Sequence, residues 1–129
     1  MKITILIADD QPLVRRTLRM SLDLEEDFLV VGEAQDGLEA VEMAAALSPD
    51  VVVMDLEMPQ MDGVLAASLL KTSSPGTAVV IHSLYDQDEL KQKALQAGAF
   101  AFVPKHALLD NLIAAVREAA ASRSEDDDR

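Results

Sequence analysis

The sequence has no cysteine, which removes disulfide staples and thiolate metal sites from consideration. Nothing in it calls for an oxidising compartment, and the expected location is the cytoplasm. Cations are scarce as well: 11 Lys and Arg stand against 23 Asp and Glu, for a formal net charge of −12. Phosphate backbones are held by clustered Lys and Arg, so direct nucleic-acid binding by this chain is not expected. No apolar run approaches the ~20 residues of a membrane span. The short run within residues 1–8 closes on Asp9 and lacks the small-residue cleavage site of a signal peptide. Also missing are a solenoid repeat and, after the first apolar run, a Gly-rich loop that would cradle a nucleotide.

What is present suits one domain: 129 residues, 50% of them hydrophobic, carry enough apolar material for a single core. Residues 1–122 are expected to form it. The acidic stretch 123–129 has nothing to bury and is expected to be a disordered tail or linker remnant. Along the chain, apolar β-branched runs at 3–8, 28–31, 51–54, 78–82 and 100–103 read as strands. Between them lie helical patterns: Val14, Leu18 and Leu22 at four-residue spacing, the helix formers of 40–47, a helix starting near Gly63, residues 90–97, and the apolar face of Leu108, Leu109, Leu112, Ile113, Val116 and Ala120. Pro12 suits a first helical turn, Asp36 with Glu39 and Asp86 with Glu89 resemble capping boxes, Asp62 can cap the third helix, and Gly98 can close the fourth. Strand then helix, five times over, implies a parallel sheet covered by helices on both faces.

In such a sheet, sites form beyond the carboxyl ends of the strands. Here those ends carry Asp9 and Asp10, Asp55, Ser83 and Lys105. Three crowded carboxylates repel one another and call for a cation. Oxygen ligands without His or Cys favour a hard ion, and Mg²⁺ tolerates a site with few protein ligands. Lys105 is placed to meet a phosphate oxygen as a point charge, Ser83 adds a hydroxyl donor, and Asp55, at the end of the central strand, can attack phosphorus to give an acyl phosphate.

The set Ile5-Leu6-Ile7-Ala8-Asp9-Asp10, Met54-Asp55-Leu56-Glu57-Met58-Pro59-Gln60-Met61-Asp62-Gly63, Ser83, Ala97-Gly98-Ala99 and Lys105 resembles the receiver domain of two-component response regulators. The resemblance spans almost the whole chain, and the long central motif is its most specific part. It implies a flavodoxin-like (βα)5 fold with strand order 2-1-3-4-5. It further implies that Asp55 accepts a phosphoryl group from a sensor histidine kinase, with Asp10, Asp55 and the backbone carbonyl of Glu57 on Mg²⁺ and Asp9 acting through a metal-bound water. Ser83 would bond the attached phosphoryl group, and Phe102 stands where the family's switch aromatic turns inward. Output would leave through helix 4, strand 5 and helix 5. The implied partners are that kinase, a second copy through this face or through helices 1 and 5, and a linked DNA-binding domain. Pro104 before Lys105 and His106 after it resemble receivers joined to LuxR-type helix-turn-helix domains. Leu84 replaces the family's usual small residue after the hydroxyl, and Tyr85 beside it is expected to line the site.

Simpler roles exist for each residue alone. An Asp-Asp pair before Pro is commonly a cap, a single Lys a solvated charge, a Ser before a helix a turn, and Phe102 a space filler. Their coincidence at four strand ends, with Asp55 at the centre, favours the site. His82 and His106 flank it without an assigned role. Glu57 either contributes only its carbonyl or adds charge beside Asp55. The expected activity is a signalling switch that assists only its own phosphorylation and dephosphorylation, not a turnover enzyme. An Asp-nucleophile phosphohydrolase of the haloacid dehalogenase type would carry Asp-x-Asp where this chain has Asp55-Leu56-Glu57. The other alternative is a phosphorylation-independent interaction module that keeps only the fold.

Overall fold

A computed structural model describes the backbone of residues 1–127 and the side chains of residues 1–123. The strands are β1 (Ile3–Ala8), β2 (Phe28–Ala34), β3 (Val51–Met54), β4 (Ala78–Ser83) and β5 (Ala101–Pro104). They alternate with α1 (Pro12–Asp23), α2 (Gly37–Leu47), α3 (Gly63–Ser73), α4 (Asp88–Ala97) and α5 (Leu109–Asp127). All strand pairs are parallel, in the order β2-β1-β3-β4-β5, which is the flavodoxin-like topology. α5 runs on through Asp127, so residues 123–127 of the stretch expected as a disordered tail are helical, and residues 128–129 lie outside the described residues.

Strand side chains alternate between two cores, as the two-residue period of a strand requires. Ile5, Ile7, Val51, Val53 and Val80 pack with Leu18 and Leu22 of α1 and with Leu112 and Val116 of α5. On the other face Leu6, Val52, Met54 and Ile81 meet Ala40, Ala44, Ala66, Leu70 and Ala94 of α2, α3 and α4. β3, in the middle, is apolar on both sides and fully buried. Each such side chain contributes roughly 1.5–3 kcal/mol, so β3 is a rigid support for whatever follows it.

Local chemistry starts and stops the helices. Pro12 opens α1, the Asp36 side chain accepts from the Glu39 N–H at 2.8 Å, and Asp62 accepts from the Leu65 N–H at 2.9 Å. Gly98 ends α4 at a φ of 121°. The capping pattern expected of Asp86 and Glu89 does not form. α4 begins one residue later than that pattern requires, with Gln87 as its cap residue and no side-chain cap bond. The Asp86 carboxylate instead lies 3.0 Å from Nε2 of His106 across the sheet end. A hydrogen-bonding partner on a neighbouring loop takes the carboxylate in place of a local cap here.

Candidate functional site

Parallel register sets the carboxyl ends of the strands side by side. Ala8 pairs with Met54, Met54 with Ile81 and Ile81 with Phe102. Asp9 and Asp55 each follow immediately on that row, Ser83 comes two residues after it and Lys105 three. The Asp55 N–H donates to the Ala8 carbonyl at 3.0 Å, which ties the two acid-bearing turns together. Lys105 reaches back from the far side: its Nζ donates to Asp9 Oδ2 at 2.8 Å and to Asp55 Oδ2 at 3.2 Å. The other carboxylate oxygens are held by backbone, with Gln11 N–H on Asp9 Oδ1 at 3.0 Å and Leu56 N–H on Asp55 Oδ1 at 2.8 Å. Ser83 Oγ accepts from the Tyr85 N–H at 3.1 Å, and the Lys105 N–H donates to the Ser83 carbonyl at 2.7 Å.

Above these groups lies a cleft of about 450 Å³ lined by Asp10, Gln11, Asp55, Glu57, Met58, Asp62, Leu84, Tyr85 and Lys105. Asp9 is 1% exposed and Asp55 8%, whereas Asp10 and Glu57 lie open to solvent. Burial pushes the Asp55 carboxyl above the usual carboxylate range, and the Asp9 charge adds to that; Lys105 opposes both without cancelling them. Burial disfavours the Lys105 ammonium, yet its hydrogen bond to Asp9 and the charges of Asp55 and Asp9 raise its pKa. The two directions agree once the stoichiometry is counted: one cation serves two carboxylates, so the cation is over-stabilised while Asp55 stays under-compensated.

Asp9, Asp10 and Asp55 each offer one oxygen, and these atoms lie within 4.8 Å of one another. The donor set is oxygen only and carries more negative charge than Lys105 offsets, which fits a hard divalent cation. The site thus sets a cluster of three carboxylates beside one lysine held between two of them, with a serine hydroxyl close by.

The structure brings together Asp9, Asp10, Asp55, Glu57, Ser83, Leu84, Tyr85 and Lys105 around this end of the sheet. Leu84 is 64% exposed at the mouth, and Tyr85, 41% exposed, forms part of the wall. Phe102 stands apart from the cleft, partly buried against the α2–α3–α4 core, with Lys91 Nζ 5.9 Å from its ring centroid. His82 faces the opposite side of the sheet among Leu13, Val14, Thr17 and Leu18. Its Nδ1 is buried without a partner, and burial drops its pKa to about 4. Reading the sequence assigned no cleft role to Gln11, Met58 or Asp62, although Gln11 adjoins Asp10 and the other two lie within the central motif. It also missed Arg15, whose Nη1 donates to the Asp9 carbonyl at 2.6 Å and fixes the turn after β1.

Residues 5–117 match the family model described as the response regulator receiver domain. The uncharacterized transcriptional regulatory protein YxjL of Bacillus subtilis is 39% identical over 92% of this chain and 55% of its own length. The chain therefore spans about half the length of that relative. Among solved structures, the signal receiver domain of a NarL response regulator from Mycobacterium tuberculosis superposes with a TM-score of 0.88 at 36% identity, covering 93% of this chain and 97% of that one. A LuxR-family two-component response regulator from Aurantimonas gives a TM-score of 0.90 at 29% identity, over 95% of this chain and 88% of the other.

Proposed function

The chain belongs to the response regulator receiver domain family, and on that premise we propose that it is a phosphorylation-controlled switch in which Asp55 takes a phosphoryl group from a sensor histidine kinase. The supporting observation is the meeting of Asp9, Asp10 and Asp55 with Lys105 at the end of a rigid, buried β3. An Asp55 carboxylate oxygen forms a bond to phosphorus as the donor's P–N bond breaks, and the imidazole leaves with the electron pair and a proton. Lys105 already bridges two carboxylates, so it meets a phosphoryl oxygen by exchanging one partner, without a new rotamer search. The Ser83 oxygen accepts from the Tyr85 N–H, which leaves the hydroxyl proton to donate to the attached group.

Asp10, Asp55 and the Glu57 carbonyl are the groups that would hold Mg²⁺, with Asp9 acting through water. Bound there, Mg²⁺ supplies the charge neutralisation that lets an anionic donor enter an acidic cleft. About two added negative charges then bias the Ser83 loop. Turning Phe102 inward breaks its contact with Lys91 on α4 and changes the α4–β5–α5 face. The output is binding: a second copy through this face or through α1 and α5, or a linked DNA-binding domain of the LuxR type, with the receiver itself ending near residue 122. The setting is cytoplasmic.

The test is to add Mg²⁺ with phosphoramidate or acetyl phosphate and weigh the intact protein. One phosphoryl adduct is expected on wild type and none on Asp55→Asn. No adduct on wild type would leave the phosphorylation-independent module; an adduct that persists in Asp55→Asn would move the acceptor elsewhere.

A further inference from the structure

The β3–α3 loop carries Asp55 and Glu57, but part of its support comes from an element with no residue in the cleft. The loop is fixed at its base, where the Gly63 N–H donates to the Leu56 carbonyl at 2.8 Å. Its apex is a tight turn with the Met61 N–H on the Pro59 carbonyl at 2.7 Å and Gln60 at a φ of 68°. Residues with a side chain rarely occupy that left-handed region, so the apex needs an outside hold to keep it. The hold is α2. The N–H of Gly37, the first residue of that helix, donates to the Met61 carbonyl at 3.1 Å, which gives one of the helix's unpaired terminal donors a partner. Only glycine permits the approach: a Cβ at position 37 would run into the Met61 oxygen and stand 2.8 Å from the carbonyl carbon.

We infer that Gly37 is a positioning residue for the cation site, acting through Met61 to hold the loop that presents the Glu57 carbonyl beside Asp55. This rests on the reading of that carbonyl as a Mg²⁺ ligand. Glu57 lies between the fixed base at Leu56 and the held apex at Met61. When the apex is pushed away, the carbonyl between the two points loses its aim while the strand bearing Asp55 stays in place. Gly37 touches neither the metal ligands nor the phosphoryl group.

The test is isothermal titration of Mg²⁺ into the whole chain, wild type and Gly37→Ala, with thermal unfolding followed in parallel. Gly37→Ala is expected to bind Mg²⁺ about tenfold more weakly, the lower end of what is lost when a group orienting a metal ligand is removed. By reciprocity, Mg²⁺ must strengthen the Gly37–Met61 bond in wild type. Saturating Mg²⁺ should therefore slow hydrogen exchange at the Gly37 amide by a similar factor beyond its effect at the Glu39 amide, which is held within the same turn by Asp36. That measurement decides the matter even if Gly37→Ala does not fold. Wild-type Mg²⁺ affinity in a folded Gly37→Ala, or equal slowing at both amides, overturns the role of Gly37. Absence of Mg²⁺ binding by wild type overturns the cation reading itself, a separate result.

Discussion

β3 has an aspartate at each end, and the two ends treat it differently. At the amino end, Asp50 Oδ2 accepts from the Thr4 N–H at 2.9 Å, the Asp50 N–H donates to Thr4 Oγ1 at 2.9 Å, and Oδ1 lies 2.7 Å from an Arg123 nitrogen. Nearby, Arg117 holds Asp27 at 2.9 Å and Glu25 at 2.7 Å. Asp50 pairs with Arg123 and ties β1, β3 and α5 together, while Arg117 serves two acids at the open surface. At the carboxyl end, Asp55 shares a single Lys105 with Asp9, while Asp10 lies open beside them. The same residue type at the two ends of one strand pairs with an arginine at one end and, at the other, shares one lysine inside a cluster of three acids. Buried acids that outnumber their cation mark the site more clearly than the presence of acids does.

The sharpest break of this comparison is chemical. Asp55→Asn should abolish the phosphoryl adduct, whereas Asp50→Ala should leave its rate of formation unchanged when intact mass is followed over time. A second contrast is pH. His82 lies on β4, one residue before Ser83; its pKa is about 4 in the fold against an ordinary 6.5. The unfolded chain therefore takes up a proton that the fold refuses, and stability falls as pH drops from 6.5 toward 4. Relative to His82→Leu, wild type should lose about 3 kcal/mol over that window in denaturant titrations. Mutants with the same slope would refute it.

Stability should also move in opposite directions at the two ends. Asp50→Ala removes the acceptor of the part-buried Thr4 N–H and should cost about 1–3 kcal/mol. Asp55, whose pKa is raised in the fold, destabilises the native state at neutral pH, a cost released as pH falls, so Asp55→Asn should raise the unfolding midpoint. The smallest effect is expected from Glu57→Gln: an exposed charge beside the site should change Mg²⁺ affinity by less than about tenfold. Unchanged affinity together with unchanged adduct lifetime would leave Glu57 with its carbonyl alone.

Much of this was legible in the sequence because parallel sheets convert local pattern into long-range placement. Lys105 and Asp9 are 96 residues apart, yet knowing that both follow strands was enough to bring them together. What was not legible depended on competition between loops. Asp86 carries a sound capping pattern, and only the arrival of His106 from another loop decides against it. Phe102 carried two readings, switch aromatic and space filler, and its resting place against the α2–α3–α4 core beside Lys91 follows from strand parity, not from its spacing to Lys105. The hold of Gly37 on Met61 had no local signal, because a backbone contact between two loops leaves no period in the sequence.

Tyr85 gives the cleft one further property. The chain has a single tyrosine and no tryptophan, and that tyrosine stands in the cleft wall with its N–H on Ser83. Tyrosine emission therefore comes from one known place, which makes the unlabelled wild-type protein its own optical probe of the cleft wall and the Ser83 loop.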